Sequence, residues 1–89
     1  MNAQRRKALK AIIEQLEALD ELRETIREQL SDIQDEEQAA LDNMPESLQE
    51  SERGQQMDDY IATMQDVTGE LDLIDVSGLI DQLQEIVDG

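Results

Sequence analysis

Eighty-nine residues with 23 acidic and 7 basic side chains carry a formal charge of −16, and Cys and His are both absent. That rules out a disulfide framework, thiolate chemistry and the imidazole that most often serves as general base or metal ligand. With Tyr60 the sole aromatic, a core drawn from 22 Leu, Ile and Val residues must be aliphatic and thin, in one domain at most.

The charge is unevenly spread. Residues 1–27 hold six bases and five acids, whereas residues 28–89 hold eighteen acids and a single base, Arg53. Such a field repels nucleic acid and anionic membranes and draws basic surfaces over about a Debye length, ~8 Å in physiological salt. The expected partner is a basic protein surface, with no direct nucleic acid and no membrane.

In chain order, Asn2 is placed to cap a first helix, although Arg5, Arg6, Lys7 and Lys10 in its first turns oppose the helix dipole and read as a solubilising terminus. Ile12, Leu16, Leu19, Arg23, Ile26, Leu30, Ile33, Glu37, Ala40 and Met44 then recur with unbroken 4-3 spacing, which predicts one amphipathic helix over residues 3–43. Glu14, Glu21, Glu28, Asp35 and Asp42 recur every seven residues on the face directly opposite that stripe. Arg23 and Glu37 interrupt the stripe. In a parallel self-pairing each would stack on its own like charge, so an antiparallel partner is expected.

Pro45 ends this helix, because the residue before a proline is pushed out of helical space while proline itself suits the first turn of a new helix. Residues 44–51 are expected to make the turn, with one helical turn in it and Leu48 tucked against the long helix. Ser51 is the expected cap of a second helix over residues 52–74, where Met57, Tyr60, Met64, Val67, Leu71 and Ile74 restore the 4-3 spacing and Ile61 broadens it. Met57 and Met64 read as core filler. Gly69 inside the second helix costs about 1 kcal/mol of helix propensity and is where this helix is most open to a bend. Asp75-Val76-Ser77-Gly78 then reads as a hinge with a cap before a short helix over residues 77–87 carrying Leu79, Ile80, Leu83, Ile86 and Val87.

Folded back at Pro45, these elements make an all-α protein, a long antiparallel helical hairpin in a single domain over residues 1–89. Leu41 is expected to face Met57, Ile33 to face Met64 and Ile26 to face Leu71, with the last helix covering Leu9 to Leu19. Apolar surface left over implies dimerisation into a bundle, as a homodimer. No apolar run approaches membrane-spanning length, so a cytoplasmic location is expected.

For chemistry, the acidic ridge ranks first: Glu14, Glu21, Glu28, Asp32, Asp35, Glu36 and Asp42 are the candidate partner-binding residues. The plain reading is that any helix needs a polar outer face. The functional one is a rigid rod of carboxylates that occupies a basic groove built for nucleic acid. A metal reading takes Glu14/Glu17, Glu21/Glu24, Asp32/Asp35 and Asp72/Asp75, spaced as in the carboxylate motifs that hold Mg²⁺ in all-helical nucleotide pyrophosphatases. With 23 acids such pairs arise by chance, and no basic or aromatic cluster is placed to hold a nucleotide. No phosphate loop, EF-hand or nucleophilic triad can be assembled, so no catalytic residue, cofactor or metal ligand is assigned.

The run Asp35-Glu36-Glu37-Gln38, with Leu41-Asp42-Asn43-Met44-Pro45-Glu46-Ser47-Leu48-Gln49 and Ser51-Glu52-Arg53-Gly54, resembles a recurring block in small acidic proteins of tailed bacteriophages and prophages. The opening Arg5-Arg6-Lys7-Ala8-Leu9 is similar to theirs as well, whereas Thr68-Gly69 and Ser77-Gly78 stand where that family has a continuous Glu-rich helix. The resemblance brings no functional residues with it. It implies an infected bacterial cytoplasm, and a host or defence factor as the partner. The leading expectation is a non-enzymatic interaction protein that binds and inhibits such a factor through the acidic surface. The alternative is a coiled-coil adaptor or assembly factor docking through its apolar seam, and the third is the Mg²⁺-dependent pyrophosphatase.

Overall fold

The computed structural model describes residues 1–89, which form four helices and no strand: α1 (Ala3–Asp42), α2 (Glu46–Gln49), α3 (Glu52–Asp72) and α4 (Val76–Asp88). This is the all-α helical hairpin expected, with helix bounds within two residues of those read from the sequence. Two compact units make it up. One joins residues 1–25 to residues 74–89, and the other is residues 26–73.

Asn2 caps α1 as expected: the Arg5 amide donates to Asn2 Oδ1 at 2.8 Å. At the other end the Asn43 amide reaches the Ala39 carbonyl and the Met44 amide the Leu41 carbonyl, both at 3.1 Å, before Pro45 takes up extended backbone at φ −55° and ψ 146°. The Leu48 and Gln49 amides then close α2 on the Pro45 carbonyl at 2.8 and 3.0 Å. Leu48 is not tucked in; it is half exposed. Gln49 turns inward in its place, its side-chain amide donating to the Met44 carbonyl at 2.9 Å, because α1 ends on carbonyls that no further turn of helix satisfies.

Ser51 caps α3, accepting from the Gly54 amide at 3.4 Å and donating its own hydroxyl hydrogen to the Leu48 carbonyl. Gly54 is buried against the preceding turn. A Cβ there would stand 2.6 Å from the Gln49 carbonyl carbon and 2.7 Å from the Leu48 carbonyl oxygen, so α3 can start this close to α2 only without a side chain. α3 is helical through Gly69 to Asp72, as the expected second helix requires. Asp75 caps α4 by accepting from the Gly78 amide at 2.9 Å.

The inward positions of α1 are Arg6, Leu9, Ile13, Leu16, Asp20, Arg23, Arg27, Leu30, Gln34, Glu37 and Leu41, continued past its end by Met44, an alternation of three and four with Ser31 half-buried beside Leu30. Taking Ile13 as heptad position a makes Leu16 position d. The sequence-derived stripe shares one half of this row, Leu16, Arg23, Leu30, Glu37 and Met44. Its other half lies outside: Ile12, Leu19, Ile26 and Ile33 are 42–54% exposed, while Ile13, Asp20, Arg27 and Gln34, one residue further on, turn inward. Ile26 and Ile33 are therefore not the seam residues expected opposite Leu71 and Met64. One opposing helix covers a strip only two positions wide, and the apolar face of α1 is wider than that.

Within residues 26–73, α3 turns Gly54, Met57, Ile61, Met64, Thr68 and Leu71 toward α1 on the same spacing, with the two methionines as filler. Within residues 1–25 and 74–89, α4 contributes Val76, Ile80, Leu83 and Val87, and Val76 at 1% exposure is the most deeply buried side chain of the chain. Arg27 Nε meets Asp72 Oδ1 at 2.6 Å, an ion-pair contact rather than an aligned hydrogen bond, and it ties α1 to the end of α3. No helix is long and apolar enough to cross a membrane.

Candidate interaction surface

Glu14, Glu21, Glu28, Asp35 and Asp42 are all exposed and occupy successive b positions of α1, ~10 Å apart at 1.5 Å of rise per residue. Asp32 precedes Asp35 by one turn and Glu36 follows it, so the seven candidate residues are all on the solvent side, and the last turns of the ridge are its densest part. None forms an ion pair; the one side-chain hydrogen bond among them is from the Gln38 amide to Asp42 Oδ1 at 3.0 Å.

The two arginines in the middle of α1 are engaged elsewhere. Arg23 donates from Nε to Asp20 Oδ1 at 3.0 Å, and its Nη2 lies 2.9 Å from the same oxygen and 3.1 Å from Glu24 Oε1. The hydrogen bond to Asp20 is the main reason its guanidinium is held above the ordinary arginine value. Burial acts against it, and the charges of Asp20 and Glu24 add to it. Arg23 is thus a fixed cation within its own carboxylate pair. Asp20 and Arg23 pair one turn apart on α1, whereas Arg27 reaches Asp72 at the end of α3.

The position of the ridge needs one correction. Because half of the inward row shifts by one residue, the acids do not lie directly opposite the buried strip. They lie ~130° round from its centre and ~140° from the exposed row Ile12, Leu19, Ile26 and Ile33, at ~100° per residue.

The carboxylate pairs Glu14/Glu17, Glu21/Glu24 and Asp32/Asp35 lie one turn apart on α1, whereas Asp72 ends α3 and Asp75 caps α4. Nowhere do three or more acidic side chains converge so as to hold a metal ion. An open depression on α3 is lined by Glu52, Arg53, Gln55, Gln56 and Asp59, all five exposed.

No family model, curated protein or solved structure matches the chain.

A second surface was not separated from the core by sequence reasoning. On every long helix a row of large apolar residues sits one position before the inward a row, at heptad position g: Ile12, Leu19, Ile26 and Ile33 on α1, Tyr60 and Val67 on α3, Leu79 and Ile86 on α4, all exposed. The available signal was the doubling of α1's stripe, where Ile12 stands beside Ile13 and Ile26 beside Arg27. Two adjacent rows cannot both face one helix.

Proposed function

We propose that this chain is a non-enzymatic interaction protein that lays the acidic face of α1 on a basic surface of another protein, one whose own ligand is nucleic acid. The likeness to small acidic phage proteins makes that partner a host or defence factor in a bacterial cytoplasm. One observation carries the reading: Glu14, Glu21, Glu28, Asp35 and Asp42 stand in a single exposed file on one helix, with no base paired to any of them. At ~10 Å intervals the file matches roughly every third phosphate of a DNA strand, whose charges recur every ~3.4 Å. A rigid helix holds these charges at fixed spacing, so little ordering entropy is lost when they meet a preformed basic groove.

The test uses basic proteins of a bacterial lysate, recovered from a cation-exchange resin and passed over the immobilised chain. Wild type is expected to retain a subset that is released by molar salt and by excess duplex DNA. The triple variant Glu21→Lys, Glu28→Lys, Asp35→Lys, with its helical circular dichroism intact, is expected to retain none of it. Equal retention by the two chains, or retention indifferent to salt, rejects the acidic face as the binding surface.

The adaptor reading draws on a different observation, the exposed apolar row of α1, and keeps its partner in the charge-reversed variant.

A further inference from the structure

The exposed apolar row lies on the g side of the hairpin. In an antiparallel helix pair the two g rows run along one edge and the two e rows along the other. Within residues 26–73 this puts Ile26 and Ile33 of α1 on the same edge as Tyr60 and Val67 of α3, and the Arg27–Asp72 ion pair lies on the e side. Within residues 1–25 and 74–89 the same rule puts Ile12, Leu19 and the neighbouring Leu22 beside Leu79 and Ile86. Each unit therefore carries its own stretch of apolar edge.

We propose that this g edge is the surface on which a second copy of the chain docks, forming a homodimer whose acidic ridges point outward. Charge selects the occupant. On α1 from Ala8 to Ile33 the positions at and beside the edge are Ala8, Leu9, Ile12, Gln15, Leu16, Leu19, Leu22, Arg23, Ile26, Gln29, Leu30 and Ile33, and carboxylates enter the same positions only past Ile33, at Glu36 and Glu37. The acids of that stretch all sit at a, b, e or f. On α3 the edge-side residues Gln56, Tyr60, Thr63 and Val67 are uncharged, with Arg53 and Glu70 only at the two ends of the row, and Leu79, Gln82 and Ile86 on α4 are uncharged too. A basic partner would be met by an acidic rim. A chain of charge −16 can approach its own copy only through a sector free of acids.

Area agrees. The chain exposes 6722 Å², against ~5,300 Å² expected for a folded single chain of 10.1 kDa. The excess exceeds the ~800 Å² that each partner contributes to a standard interface. Only Ile13, Leu41, Ile61, Val76 and Val87 are buried apolar side chains, and each residue of the g row keeps about half of its surface in solvent. This proposal is independent of the acidic-face reading and fails or stands separately from it.

Sedimentation equilibrium on the full chain is expected to give twice the 10.1 kDa chain mass, and the pair Leu19→Lys, Ile26→Lys to weaken association by at least about tenfold. A charge change on the ridge, Glu21→Lys, leaves the dimer intact. Since the chain has no cysteine, single thiols supply a second readout that does not depend on how the lysine pair folds. Ile12→Cys is expected to react with a thiol reagent at least about tenfold more slowly than Glu14→Cys, the difference disappearing on dilution. A single-chain mass at every concentration, a folded lysine pair that still dimerises, or an Ile12→Cys rate that equals Glu14→Cys or ignores dilution overturns the assignment. In the first of these cases the edge belongs to a different protein.

Discussion

Arg27 Nε and Asp72 Oδ1 stand 2.6 Å apart, joining the middle of α1 to the last residue of α3. The contact marks the register of the antiparallel pair within residues 26–73 and its e edge. Both side chains are substantially exposed, so the pair's value lies in reporting geometry rather than in holding the fold. A double-mutant cycle with Arg27→Met and Asp72→Asn, read by urea denaturation, is expected to give a coupling of about 0.2–1 kcal/mol that shrinks as salt is added. No coupling at low ionic strength would mean that these two positions do not meet in solution.

Gly54 is the least replaceable residue of the turn. Its φ is negative, so the constraint is space rather than backbone conformation: an added methyl meets the Gln49 and Leu48 carbonyl groups, which are main chain and cannot swing aside. Gly54→Ala is expected to lower the stability of the chain by about 1–3 kcal/mol, the usual cost of forcing atoms into a filled site. An unchanged urea midpoint would show that α3 does not begin this close to α2.

Gly69 gives the opposite sign. It lies inside α3, exposed, with nothing near the place a Cβ would take, and it is off the apolar edge. Gly69→Ala is expected to stabilise by roughly 1 kcal/mol through helix propensity and a less flexible unfolded chain. A loss of stability would reveal a hinge that the unbroken helix does not show.

These glycines show what the sequence could reveal. Pro45, Ser51 and the 4-3 spacing signal their structure locally, through proline's fixed backbone, a cap's side chain and helical periodicity, and the element bounds follow from them. Gly54 reads in sequence like any glycine near a helix start; its role depends on how α2 closes, which no local pattern states. Gln49, which satisfies the end of α1, is hidden for the same reason. The exchange of Ile12, Leu19, Ile26 and Ile33 for Ile13, Asp20, Arg27 and Gln34 along the inward strip has a different cause. Hydrophobicity alone favours the first row, but the antiparallel hairpin leaves that row on its edge and turns the second inward, where Arg27 meets Asp72. The acidic ridge was legible as a row, and its direction relative to the core was not.

The short helix α4 depends on its cap. Asp75 accepts the Gly78 amide at 2.9 Å, and the helix start carries Val76 into the most buried position of the chain. Asp75→Ala is expected to cost about 1 kcal/mol by loss of the cap, and Asp75→Ser to restore most of it. Hydrogen exchange resolved along the chain checks this: protection should fall first over residues 76–88 and leave α3 unchanged. A uniform fall across all helices would mean that α4 does not open separately.

Charge sets the last expectation. With −16 overall and ridge acids ~10 Å apart along α1, most carboxylates feel one another through water at low ionic strength, where the Debye length is ~30 Å at 0.01 M, and far less at ~8 Å in physiological salt. Salt should therefore raise the melting temperature, by about 4–8 °C for each kcal/mol of repulsion relieved in a chain of this size. Neutralising the ridge with Glu21→Gln, Glu28→Gln and Asp35→Asn should raise the low-salt melting temperature and flatten the salt dependence. These residues take part in no ion pair, so the change removes repulsion without breaking a contact. A melting temperature that falls with salt in the wild-type chain would mean that attractive pairs such as Arg27–Asp72 outweigh the like-charge field, and the ridge would then not be the strained, unneutralised surface that a basic partner relieves.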